Sequence, residues 1–123
     1  MIAYANFPGL AGVYLEDSYV LHIVEMPGQV VFKLDAVLTP ESSAYHSPRP
    51  GEHYCYAAAD LVFRNVAAVE WIRRTARHFT DAAGEEDLGN IDILHPEGDG
   101  FVVEGDWGRV RIVGSPPFVE LTS

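Results

Sequence analysis

A chain of 123 residues, 48% hydrophobic and 21% charged, has enough apolar surface to fold as one domain over 1–123 and too little length for two ordinary ones. Eighteen Asp and Glu against eight Lys and Arg give a formal net charge of −10, which repels phosphate backbones and anionic bilayers and argues against nucleic acid and membrane as partners. No apolar run approaches the roughly 20 residues that cross a bilayer, residues 1–10 lack a signal peptide's basic and apolar regions, and the single Cys55 excludes an internal disulfide, so the expected setting is the reducing cytoplasm.

The first strong pattern runs from Tyr19 to Leu38. Alternating residues rise to Met26-Pro27-Gly28-Gln29 and leave with Val30, Phe32, Leu34, Ala36 and Leu38 on one face and Lys33 and Asp35 on the other. Pro presets the first φ of a type II turn and Gly accepts its positive second one, so a β-hairpin is expected here. Thr39 to His53 holds Pro40, Pro48, Pro50 and Gly51 and reads as a long loop, of a length usually tied to function or mobility. Tyr54 to Arg64 reads as a third strand with Cys55, Ala57, Ala59, Leu61 and Phe63 inward.

Val66 to Phe79 fits two periods. Its Ala and Arg content suits a single helix, whereas Val69, Trp71 and Arg73 share a strand face; a strand through Val69 to Ile72 is the preferred reading and the helix its alternative. Asp81 to Gly89 is an acidic exposed connection. Short strands follow at Asn90–Leu94, Phe101–Glu104, Arg109–Val113 and Phe118–Leu121, punctuated by Gly- and Pro-rich turns. The expected fold is therefore all-β, an antiparallel β-sandwich or partly open barrel with room for one short helix.

Motifs of chemistry are sparse. There is no phosphate-binding glycine loop, the only lysine is Lys33, and Ser42, Ser43 and Ser47 lack a nucleophile elbow. His46, Glu52 and His53 share the Pro-rich loop without the ligand count or spacing of a zinc site, so neither metal nor other cofactor is expected. Cys55 reads as a small buried hydrophobe and the paired carboxylates Glu16–Asp17 and Glu104–Asp106 as turn or surface groups. The residues that suit binding are Tyr45 in the long loop, the acidic run Glu85, Glu86 and Asp87, and the turn residues Asp106 and Trp107. Trp107, flanked by Gly105 and Gly108, either folds back over the core or presents itself to a partner, which in this charge setting would be basic.

Four stretches carry a resemblance: Leu15-Glu16-Asp17-Ser18-Tyr19-Val20-Leu21, Leu61-Val62-Phe63-Arg64-Asn65-Val66 with Val69-Glu70-Trp71, Gly89-Asn90-Ile91-Asp92, and Glu104-Gly105-Asp106-Trp107-Gly108-Arg109-Val110. Together they resemble a group of small uncharacterised bacterial proteins similar in strand order to the β-rich immunity proteins of bacterial polymorphic toxin systems. The resemblance implies an antiparallel β fold and a neutralising partner role, and supplies no catalytic residue. The leading expectation is a non-enzymatic acidic cytoplasmic protein that binds a basic partner such as a nuclease toxin. Two rivals stand beside it: a small-molecule binder or hydrolase whose pocket lies between the sheets under the 39–53 loop, and a subunit that assembles through an exposed strand edge.

Overall fold

The computed structural model describes residues 2–75, 78–80 and 84–122. Its strands are β1 (Val13–Met26), β2 (Gln29–Leu38), β3 (Cys55–Arg64), β4 (Ala68–Arg74), β5 (Phe79–Thr80), β6 (Glu86–Asp87), β7 (Ile91–Glu97), β8 (Gly100–Gly105), β9 (Gly108–Val113) and β10 (Phe118–Leu121). Sheet I has the order β1-β2-β3-β10 and sheet II the order β4-β9-β8-β7, while β5 and β6 form a small separate hairpin. All the strand pairs are antiparallel, and neither sheet closes into a barrel. No α-helix occurs among the described residues; in place of the optional short helix there are two 3-10 turns, Tyr4–Asn6 and Pro8–Leu10.

The Tyr19–Leu38 hairpin is as expected, with Gly28 at φ 74° in the turn, but its first strand starts six residues earlier, at Val13. Phe32, Leu34 and Ala36 on β2 face inward beside Leu61, Ala59 and Ala57 of β3. Across the gap the Phe32 ring lies 5.2 Å from Trp107 and Phe63 6.2 Å from Phe101, so the two sheets share one apolar core. Val66 to Phe79 yields a strand over Ala68–Arg74, since Val69 and Trp71 pair with Ile112 and Val110 on β9 and pack on that core. Cross-strand burial outweighs the helix propensity of its alanines and arginines. Residues 76–77 and 81–83, part of the two segments discussed above, lie outside the described residues.

One irregularity organises the sheet I edge. Tyr14 pairs with Val37 and Tyr19 with Asp35, so β1 takes five steps where β2 takes two, and the extra residues bulge out of the ladder. The Ser18 hydroxyl fills the gap: it donates to the Tyr14 carbonyl at 2.7 Å and accepts the Val37 N–H at 2.9 Å. Ser18 is the one fully buried polar side chain among the described residues. Its carbonyl accepts the Asn90 side-chain amide at 2.6 Å, and the backbone of Val20 exchanges hydrogen bonds with Gly89 and Leu88, which joins β1 to the strand leading into sheet II. Ser18→Ala leaves the buried Val37 N–H without its acceptor and is expected to cost about 1 to 3 kcal/mol in urea unfolding, with Ser18→Thr costing less because it keeps the hydroxyl.

Tyr4 closes the bulge from outside. Its hydroxyl accepts the Leu15 N–H at 2.8 Å and donates to the Glu16 carboxylate. Burial first, then the Glu16 hydrogen bond, pushes the phenol well above its ordinary pKa. The sign follows: the unfolded phenol ionises near pH 10 while the native one stays protonated, so this contribution to stability is complete below about pH 10 and is lost as pH rises above it. Denaturation midpoints measured from pH 8 to 11 should therefore fall more steeply for the native chain than for Tyr4→Phe.

Candidate interaction site

Residues paired directly across antiparallel strands share a face. Ala36 points into the core, so its neighbours Asp35 and Val37 point out, and with them go Tyr19 (paired with Asp35), Tyr14 (paired with Val37) and Tyr56 (paired with Val37 from β3). Tyr54, two residues before Tyr56, joins them: its ring meets the Tyr56 ring edge-on at 6.1 Å, and Tyr56 stacks on Tyr19 at 6.4 Å. Four tyrosines thus tile one end of the outer face of sheet I. Tyr14, Tyr19 and Tyr54 keep 38 to 40% of their surface exposed, a large aromatic area for a molecule to leave in water.

Beside this tiling the β5–β6 hairpin stands as a wall. The groove between them, about 670 Å³, is lined by Tyr19, Tyr56 and Phe79 together with Asp35, Glu85, Glu86 and Asp87. Among the described residues its lining contains no lysine or arginine, and His53 is the one basic side chain. The phenol of Tyr56 is pushed up by burial and then by the neighbouring Tyr19, Asp35, Tyr54 and Asp17. Burial is the larger cause, and the carboxylates of Asp35 and Asp17 add to it. Asp87 also caps its own turn, its carboxylate accepting the Gly89 N–H at 2.8 Å.

The Pro-rich loop borders the other side. It is a succession of turns: Ser42 and Tyr45 N–H groups donate back to Thr39 and Ser42, and Arg49 and Glu52 close a reciprocal turn through the Glu52 carboxylate and the Arg49 carbonyl. The Thr39 N–H is tied to the Gly12 carbonyl, and Gly12, at φ 86°, has no room for a side chain against Ser42. The loop therefore lies against the outer face of sheet I. It does not cover the gap between the sheets, whose centre is filled by Phe32, Phe63, Phe101 and Trp107. His46 binds the neighbouring Ser47 carbonyl through Nδ1 at 2.9 Å.

Of the residues singled out in the sequence, Glu85, Glu86 and Asp87 come together in the groove, and Tyr45 lies half-buried in the adjoining cavity under the loop. Asp106 is elsewhere, in the β8–β9 turn against Gly89, where its charge adds to burial in raising the Asp92 carboxyl. Of the two readings open for Trp107, the structure takes the inward one and leaves it no role as an exposed contact: it is 1% exposed, and its indole N–H donates to the Asn90 carbonyl at 3.0 Å. The glycines explain the turn inward, since a Cβ on Gly105 would sit 2.0 Å from the Asn90 oxygen and 2.5 Å from the indole nitrogen. The indole packs edge-on to Trp71 at 5.9 Å, and Trp71 in turn carries the Arg74 guanidinium over its ring. Trp107→Ala is expected to cost about 3 to 5 kcal/mol of folding free energy, measured by chemical denaturation.

The tyrosines and Asp35 are the site residues that sequence reasoning missed. Their signal was the strand register: once Asp35 is outward, pairing places Tyr19 and Tyr56 around it. Comparison with protein-family models, curated proteins and solved structures finds no match to this chain.

Proposed function

We propose that this chain is a non-enzymatic, cytoplasmic binding protein that docks a basic protein partner in the groove between the tyrosine-tiled end of sheet I and the β5–β6 hairpin. Immunity-type neutralisation of a basic toxin such as a nuclease is the form of that role suggested by the sequence resemblance. The observation that carries the reading is the lining itself: three aromatic rings and four carboxylates, with no lysine or arginine among the described residues that line it. Rigid aromatic faces supply contact area at low entropic cost, and a one-sign groove in a −10 molecule steers the opposite charge toward it. Arg74 of β4 shares a neighbouring cavity with Glu86 and Asp87, but its guanidinium is paired with Glu25 at 3.3 Å. Elsewhere on sheet II, Arg109 pairs with Glu104 at 2.9 Å and Arg111 with Asp99 at 2.6 Å, so their charge is largely neutralised within the fold.

The probe is a short peptide rich in lysine and arginine, compared with an acidic peptide of equal length. Association of the basic peptide should slow as the Debye length shrinks from about 30 Å at 0.01 M salt to about 8 Å at 0.15 M. Neutralising Glu85, Glu86 and Asp87 together should lower the on-rate, whereas neutralising Glu97, Asp99 and Glu104, an equal change in net charge, should lower it far less. Tyr19→Ala with Tyr56→Ala should instead raise the off-rate. Equal binding of the two peptides, or equal effects of the two neutralised sets, overturns the groove as the docking site.

A further inference from the structure

Next to the groove, under the Pro-rich loop, lies a smaller cavity of about 260 Å³ walled by Tyr14, Tyr45 and Tyr54, with Val37 beneath and Asp17 at its side. We infer that this cavity is a receptor for a single arginine side chain of the partner, its guanidinium held among the tyrosine rings and paired with the Asp17 carboxylate. The inference rests on the docking reading above and names the anchor within it.

Size sets the first limit. The volume falls below the roughly 300 Å³ at which small-molecule sites begin, which suits one side-chain head and not a nucleotide or a metabolite. Chemistry sets the second. Tyrosine faces attract a cation within about 6 Å of the ring centroid, and more strongly where water is thinned. The cavity has such rings on more than one side, with Tyr14 and Tyr54 each about two-fifths exposed. Among the described residues its one carboxylate is Asp17, and neither lysine nor arginine lines it. Asp17 and Tyr54 already act on each other, since the carboxylate's hydrogen bond and charge raise the Tyr54 phenol. Between the two biological cations the walls favour guanidinium, because it is planar, stacks on aromatic faces and gives up water more readily than an ammonium. Position completes the case: Asp17 sits in the β1 bulge, and His53 lines both the cavity and the acidic groove, so one extended basic segment spans the two.

The test is a titration of isotope-labelled protein with the blocked tripeptide Gly-Arg-Gly and with its citrulline counterpart, which keeps shape and loses charge, read by NMR at the Asp17 and Tyr54 amides. The arginine peptide should give saturable shifts there in the millimolar range, and the citrulline peptide should bind about ten-fold more weakly or less. Asp17→Asn, an exposed-side substitution that keeps the bulge, should weaken the arginine peptide by a similar factor. Tyr54→Phe should retain binding and Tyr54→Leu should lose it. Equal binding of the citrulline peptide, or no loss in Asp17→Asn, overturns the inference. Shifts from the arginine peptide confined to Tyr19, Tyr56 and Glu86 overturn the cavity while leaving groove docking intact; no shift at either place, from this peptide or from the longer basic one, overturns both.

Discussion

The β1–β2 ladder is interrupted between Tyr14 and Tyr19, and a single hydroxyl stands in for the backbone groups that the interruption separates. A β-strand alternates its faces strictly, so three additional residues would throw every later side chain onto the wrong side unless the bulge absorbed them. Here it does: Leu15, Ser18 and Val20 remain inward while Tyr14 and Tyr19 both remain outward. The same segment supplies Asp17 to the outer face and, through Ser18 and Val20, the hydrogen bonds to Leu88, Gly89 and Asn90 that lead into sheet II. Asn90 then accepts the indole N–H of Trp107. A chain of three polar contacts thus runs from the Tyr14 carbonyl through Ser18 and Asn90 to Trp107, and each link occupies a backbone carbonyl.

Charge is distributed as unevenly as hydrogen bonding. On sheet II the rows formed by strand pairing set Arg109 beside Glu104 and Arg111 beside Glu70, with Glu97 and Asp99 reaching Arg111 from the turn. Exposed pairs of this kind contribute little stability, about 1 kcal/mol or less each. Their consequence is electrostatic: they cancel field at one end of the molecule and leave the net −10 to be expressed at the other. On sheet I, Lys33 is drawn to Asp60 at 3.0 Å and Arg64 lies over the Phe118 ring, both away from the groove lining. Lys33, Arg64, Arg74, Arg109 and Arg111 are therefore engaged where they stand.

Local signals made much of this fold legible. Pro27-Gly28 marks the one tight turn between two alternating runs, and the Gly-rich turns after Glu97 and Gly105 mark the later strands. Illegibility began wherever a residue's role depended on a partner far along the chain. Val66 to Phe79 carried helix-forming residues beside the strand pattern preferred for Val69 to Ile72, and it is pairing with β9 that makes Ala68–Arg74 a strand. Glu16-Asp17-Ser18 looked like a polar lead-in to a strand starting at Tyr19, because a hydroxyl replacing a ladder bond leaves no periodic trace. Trp107 sat in a glycine-flanked turn, which left both an exposed and an inward reading open; close approach of Asn90 decides it. Of the candidate site, the acidic hairpin was visible as a charge run, while the tyrosines on β1 and beside β3 converge only through register.

That division between rim and platform has a physical consequence for how the site would work. Of the groove's tyrosines, Tyr56 stands on β3, bonded to β2 along ten residue pairs, and Tyr19 on the 14-residue β1, so their rings are held before a partner arrives and lose little freedom on binding. The acidic wall is built differently. β5 and β6 pair through two residues each, a ladder too short to be stable by itself, and it packs mainly against β1. Such a wall adjusts its carboxylates to an approaching charge at small cost, which suits long-range attraction, whereas the fixed rings set how long the contact lasts. Diffusional capture and residence would then be governed by separate parts of one groove, each made by the kind of backbone that its task requires.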